Sequence, residues 1–145
     1  MRGERFQDTG TYLDQFMDSI DVHCPQCQRH AVVSAEGFPG WQQSVRLVCT
    51  HCGYNRQETV NGWRIAEAVD SFFGLPLWFV GSVRSHTLWA YNRRHLAFLQ
   101  QVVGAELREK EPNRNTLLAN RLPKWMLAKK NRAPVLKAIE KLAQK

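Results

Sequence analysis

Two Cys-x-x-Cys pairs, Cys24-Pro25-Gln26-Cys27 and Cys49-Thr50-His51-Cys52, stand twenty-one residues apart and use every cysteine in the chain. No other feature constrains the fold as tightly. Two thiolates on one tight turn can grip one side of a metal ion, and a second such turn completes a tetrahedron, so this spacing is the pattern of a four-thiolate zinc site. A disulfide framework expects a secretory signal, and Met1-Arg2-Gly3-Glu4-Arg5 opens on charge rather than an apolar run. A redox pair would stand singly at the start of a helix. The expectation is one structural zinc on Cys24, Cys27, Cys49 and Cys52, closed to water and substrate. His23 and His51 flank the pairs and read as solvated turn residues, since four thiolates already suffice.

Between the pairs lie two β-rich runs, His30 to Ser34 and Ser44 to Val48, and a third, Tyr54 to Val60, follows the second pair. Residues 22 to 60 thereby resemble the zinc ribbons of transcription factor IIB and transcript-elongation factor IIS. The resemblance implies a three-stranded sheet clipped at one end by metal. It speaks for the fold much more than for function. Gly37-Phe38-Pro39-Gly40-Trp41 is turn chemistry between strands. Phe38 and Trp41 read as covers for a small sheet, with base stacking as the alternative. Arg46 and Arg56 are the only basic residues in the strands, so the ribbon itself is weakly charged.

Ahead of the ribbon, Tyr12, Leu13, Phe16, Met17 and Ile20 share a helical stripe, with Asp14, Asp18 and Asp21 opposite. This predicts a short amphipathic helix packed on the body. An acidic face docked on the basic tail is the sharper alternative. After the ribbon, Trp63 to Ser71 is open between a short helix and an extended linker. Leu75 to Val80 and Thr87 to Tyr91, around a Gly81 to Ser85 turn, predict an aromatic β-hairpin. Pro76 confines the first strand to an edge or to its first positions. Trp78, Trp89 and Tyr91 read as the core between hairpin and helix rather than as a base-stacking platform.

Asn92 is placed to cap the longest helix, running to about Lys110 with Leu96, Leu99, Val103 and Leu107 as its stripe. His95 has no partner acid or nucleophile at recognisable spacing. Pro123 opens a short helix, and Asn131 is placed to cap a last one with Val135, Leu136, Ile139 and Leu142 on its apolar side. The fold class is therefore α+β: a three-stranded zinc ribbon, an aromatic β-hairpin and a helical C-terminal half. The divisions are an arm and short helix at 1–21, the ribbon at 22–61, hairpin plus long helix at 62–111, and a basic helical tail at 112–145.

The chain carries a formal charge of +7, and from Pro112 onward nine basic residues face a single acid, Glu140. The whole excess sits in the tail, which points to a polyanionic partner there. Candidate phosphate contacts are Arg121, Lys124, Lys129, Lys130, Arg132, Lys137 and Lys141. Without metal open to water or an acid–base pair, no catalysis is expected. The longest apolar run, Phe72 to Val83, is broken by Gly74, Pro76 and Gly81, so no membrane span is expected. Reduced thiols and the absence of a targeting segment suggest a cytoplasmic protein.

The wording Phe73-Gly74-Leu75-Pro76-Leu77-Trp78, Leu88-Trp89-Ala90-Tyr91-Asn92 and Arg121-Leu122-Pro123-Lys124-Trp125-Met126 resembles a group of bacterial zinc-ribbon proteins. Their functions are largely unassigned, and some carry a label of similarity to the primosomal replication-restart helicase. That resemblance implies a ribbon, a hairpin, a long helix and a basic helical tail in this order. No Gly-x-x-x-x-Gly-Lys-Ser/Thr loop occurs, so no motor resides in the chain. The reading is a non-catalytic accessory or adaptor protein of transcription or replication, with DNA or RNA on the tail, a protein partner at the ribbon, and no small-molecule substrate. The competing class is a protein-interaction module whose ribbon docks a partner and whose lysines are a solvated face.

Overall fold

Period-two burial organises the first half of the protein. The computed structural model describes residues 13, 15–38, 40–105 and 122–145. Four antiparallel strands, β1 (Ser19–His23), β2 (His30–Glu36), β3 (Gln42–Val48) and β4 (Asn55–Asn61), form one sheet in sequence order. Ile20, Val22, Ala31, Val33, Val45 and Leu47 alternate onto the buried face. The sheet has four strands, not three, because β1 occupies residues expected to be helical. Ile20 and Asp21 pair with Val33 and Val32 rather than completing a helix. Phe16 and Met17 are buried ahead of the strand. Tyr12 and Asp14 lie outside the described residues. The acids of that stretch find bases elsewhere than on the tail: Asp18 pairs with Arg94, and Asp21 with His30.

The outer edge of β1 is covered rather than free. The Trp78 amide donates to the Asp21 carbonyl at 2.9 Å, His23 donates to Pro76 at 3.0 Å, and Asp21 donates to Tyr91 at 2.8 Å. Pro76 offers only its carbonyl to this ladder, so its missing N–H costs nothing there. This seam joins the four-stranded sheet to a two-stranded hairpin, β5 (Phe79–Val83) and β6 (His86–Ala90). The hairpin turn is shorter than Gly81 to Ser85: Gly81, Ser82 and Val83 are strand residues, and Arg84-Ser85 makes the reversal. Arg84 takes a left-handed φ of 56° to do so.

The ambiguous stretch from Trp63 to Ser71 holds no helix. Buried Asp70 shapes the loop that follows, accepting from the amides of Phe72, Phe73 and Leu75 at 2.8, 2.7 and 2.6 Å. Helix α1 (Arg93–Ala105) begins as expected, with Asn92 Oδ1 accepting from the His95 amide at 2.9 Å. The Asn92 amide group also donates to the carbonyls of Phe16 and Ser19, which ties the helix start to the base of β1. The continuation expected to Lys110, with Leu107, lies outside the described residues.

Among the described residues, the tail holds α2 (Lys124–Leu127), a 3-10 turn (Lys129–Asn131) and α3 (Arg132–Ala143). Asn131 precedes α3 but does not cap it through its side chain. It is buried and donates instead to the Trp125 carbonyl at 2.8 Å. Val135, Ile139 and Leu142 of α3 are buried against α1 and β5. One hydrophobic cluster runs from Phe16, ahead of β1, and Val33 on β2 through Phe79 and Leu88 in the hairpin to Leu99 and Ile139. The tail is thus part of the core. No helix among the described residues is long and apolar enough to cross a membrane.

Candidate metal centre and basic surface

The strand order brings both cysteine pairs to one end of the sheet. β1 runs into Cys24 and β2 leaves from Arg29; β3 runs into Cys49 and β4 leaves from Tyr54. Each turn is closed by the same two backbone bonds. Cys24 N donates to Arg29 O at 2.7 Å and Gln28 N to Cys24 O at 2.9 Å; Cys49 N donates to Tyr54 O at 2.9 Å and Gly53 N to Cys49 O at 3.0 Å. All four sulfurs lie within 4.8 Å of one another, with Cys24 to Cys52 and Cys27 to Cys49 at 3.6 Å. A tetrahedral complex with metal–sulfur bonds of about 2.3 Å has sulfur–sulfur edges of about 3.8 Å. The cluster therefore fits a single metal ion held by four thiolates.

Amides around the sulfurs favour thiolates. Gln26 N and Cys27 N approach Cys24 Sγ at 3.3 and 3.5 Å, and the Gln26 side chain donates to Cys52 Sγ at 3.3 Å. Burial opposes ionisation of Cys24, but those amides and the Cys52 thiol outweigh it and lower its pKa. The Cys52 amide foremost, with that of His51, holds Cys49 down at about 6. For Cys27 the Arg29 amide favours the thiolate, yet burial and the three neighbouring thiols prevail and push it up to about 12. The surroundings of the cluster thus oppose ionisation at Cys27 and favour it at Cys49. Neither flanking histidine belongs to the donor cluster. His23 Nδ1 bonds the Gln28 carbonyl at 3.1 Å and its ring packs on Trp78. His51 is exposed.

At the other end of the sheet the two aromatics part company. Phe38 packs edge-on against Trp63 and Phe72, with centroids 4.9 and 5.9 Å apart, so it covers the sheet as expected. Trp41 covers little, its ring edge lying beside Gly62: it is 76% exposed, and Trp63 and Ile65 are also exposed. Gln43 is a residue the sequence reading missed. Buried, it donates to the carbonyls of Gly40 and Gly62 and so holds the two adjoining turns together. Tyr91 is fully buried and Trp78 and Trp89 are half-buried, which places them in the core.

Of the candidate phosphate contacts, Arg121 lies outside the described residues. Lys124 on α2 and Lys129 and Lys130 in the 3-10 turn are exposed, as are Lys137 and Lys141 on α3; Arg132 is half-buried. The segment is fixed to the hairpin by His86, whose ring stacks on Trp125 with centroids 4.4 Å apart. Sequence reasoning passed over Arg93 and Arg94, which meet Lys145 and His30 around a groove. The Arg-Arg dipeptide directly after a capping Asn was the available signal. His95 sits beneath the rings of Phe16 and Tyr91 and accepts from the Tyr91 amide at Nδ1. Burial pushes its pKa down to about 3. The cavity beside it, about 200 Å³, has no acid among its described lining residues.

No protein-family model, curated protein or solved structure matches the chain. What defines it is therefore its own geometry: a mixed α/β protein with a four-cysteine cluster able to hold a metal ion at one end of an antiparallel sheet.

Proposed function

We propose that the four cysteines hold one structural zinc ion and that the protein is a non-catalytic zinc-ribbon accessory protein that binds nucleic acid. Cys24, Cys27, Cys49 and Cys52 would fill all four positions of a tetrahedral ion, and the metal would lock the ends of β1 to β4 without offering a site to substrate. The phosphate backbone is met by the tail. An adaptor role in transcription or replication, in the cytoplasm, fits a chain without a motor motif.

One observation carries this reading. Lys124, Lys129, Lys130, Lys137 and Lys141 are exposed on elements whose opposite sides, through Met126, Val135 and Ile139, are buried in the core. The cations are held at fixed spacing on a rigid support, which reduces the ordering cost of binding compared with a loose arm. Five phosphate contacts give a slope of log affinity for duplex DNA against log salt of about −4 to −5. Base discrimination is small, because among the described residues neither tail helix offers a row of Arg, Asn or Gln to one groove.

The test leaves the fold intact. Deleting residues 112–145 would remove core, so the five lysines are changed together to Gln. Labelled DNA and RNA are then titrated at several salt concentrations. The parent should bind with the steep slope and the variant should lose most of both affinity and slope. An absence of binding by the parent at low salt, or equal binding by the variant, sinks the assignment.

A second reading has its own support in Trp41, 76% exposed at the end of the ribbon remote from the cysteines. An unpaired tryptophan there suits a protein partner. Trp41→Ala would abolish partner capture and leave nucleic-acid titrations unchanged under that reading.

A further inference from the structure

Beside the outer edge of β1, the start of α1 and the last residues of the tail enclose a groove of about 340 Å³. Arg93, Arg94, Lys145, His30, Trp78 and Asp21 are among its walls. Three full cations thus face one carboxylate, and that carboxylate is engaged: Asp21 Oδ1 lies 2.7 Å from His30 Nε2. Among the described residues, neither Arg93 nor Lys145 has a carboxylate partner, and the first turn of α1 carries no acid. Asp18, outside the groove lining, pairs with Arg94 at 2.5 Å.

The cations are held rather than floating. Arg93 donates to the Ala143 carbonyl at 2.6 Å and lies over the Phe79 ring. Lys145 Nζ donates to the Trp78 carbonyl at 2.5 Å and sits 4.4 Å above the centre of its ring. Each bond uses one donor of a guanidinium that has five, or of an ammonium that has three, so donors remain for an anion. Partial desolvation lowers the pKa of Lys145, which remains exposed and open to a ligand.

We propose that this groove is a phosphate site, and that it receives a phosphodiester of single-stranded nucleic acid laid along the lysine row of α3. The second clause rests on the nucleic-acid reading above. Lys137 and Lys141 lie four residues apart on α3, about 6 Å along its axis, and Lys145, two residues past the end of the helix, lies in the groove. The groove is at the small end of ligand sites, roughly 300–1,000 Å³, which suits one nucleotide and excludes a duplex. Trp78 lies between His23 and Lys145, so the site offers its ligand cations rather than a free ring face for stacking.

The experiment uses zinc-loaded, isotope-labelled full chain, following the Trp78 indole and the arginine Nε signals by NMR. The probes are inorganic phosphate and a ten-residue thymidine oligomer, each against the parent and the double variant Arg94→Gln/Lys145→Gln. Arg93 is left in place because it also anchors Ala143. Zinc content and thermal midpoint establish that the variant is folded. The expected result is a saturable Trp78 shift with both probes in the parent. In the variant that shift is absent, oligomer affinity is about tenfold weaker, and the salt slope is shallower by about 1.4, two contacts at about 0.7 each for single strands.

The outcomes separate the two ideas. Oligomer binding with the same slope in parent and variant overturns the groove and leaves the tail reading standing. No binding of oligomer, with phosphate still shifting Trp78, overturns the tail reading and the phosphodiester clause and leaves a site for free phosphate compounds. Should the variant fail to fold, the parent still decides: a Trp78 signal unmoved by both probes overturns the groove outright.

Discussion

Gln28 and Gly53 occupy the same place in two copies of one turn. Each follows the second cysteine of its pair, each donates its amide to the carbonyl of the first, and each has a left-handed backbone, with φ of 68° and 81°. The turn must reverse the chain while aiming two sulfurs at one point, and the left-handed residue achieves the reversal. Glycine adopts it without penalty; a residue with a Cβ does so at a cost of roughly 1–2 kcal/mol.

That inequality is testable at both sites. A Cβ at position 53 meets nothing within 4 Å, so Gly53→Ala isolates the backbone cost and should destabilise the zinc-loaded protein by about 1 kcal/mol. Gln28→Gly removes the same strain but adds freedom to the unfolded chain, a net gain of about 0.5 kcal/mol. Urea unfolding at fixed free zinc measures both. Shifts of the same sign would show that the two turns are not equivalent.

Metal affinity should depend on pH in two regimes. Cys27, pushed up to about 12, is still protonated at neutral pH, so binding must displace at least that proton. Affinity then rises at least tenfold per pH unit above pH 7. Below about 6 Cys49 also holds its proton, and acidification should weaken binding more steeply. Competition with a chelator of known pH dependence, run from pH 5 to 8, gives the profile. A line of constant slope across pH 6 would contradict the inequality between these two thiols.

The clustering of the four cysteines was legible because four sulfurs at fixed spacing admit few geometries. The hairpin and the Asn92 cap were legible from local pattern alone. β1 was not, because Phe16, Met17 and Ile20 fit a helical stripe by accident. The decisive facts, Ile20 opposite Val33 and Val22 opposite Ala31, are cross-strand and invisible in a local window. Trp41 was misjudged for a related reason: Phe38 and Gln43 already close that end of the sheet, and no sequence pattern states that the space is taken. The groove escaped notice because Arg93 and Lys145 are 52 positions apart and meet only when α3 docks on β5.

That docking is itself a prediction about the tail. Ile139 is 1% exposed in the cluster shared with Leu99 and Phe79, so Ile139→Ala should cost about 2–5 kcal/mol. Lys137→Ala, on the exposed side of the same helix, should change stability by less than about 0.5 kcal/mol. Denaturant midpoints and amide exchange across α3 give both. A loss under 0.5 kcal/mol at Ile139, with unprotected α3 amides, would return the tail to the status of a loose arm.

His95 should govern part of the acid sensitivity. It is 1% exposed, packed between Phe16 and Tyr91, and its pKa falls from 6.5 to about 3 on burial. Its folded value lies below its unfolded value, so between pH 6.5 and 3 the unfolded chain binds the extra proton. Stability from keeping this ring neutral is complete above pH 6.5 and drains as pH falls, at about 1.4 kcal/mol per unit. The thiols also titrate in acid, so the comparison must cancel them. His95→Gln preserves an acceptor for the Tyr91 amide and removes the titrating group. At matched zinc, its stability should fall less steeply than the parent's from pH 6 to 4.5, by about that 1.4 kcal/mol per unit. Identical slopes would mean that the buried imidazole is already protonated in the native protein, or that it titrates normally.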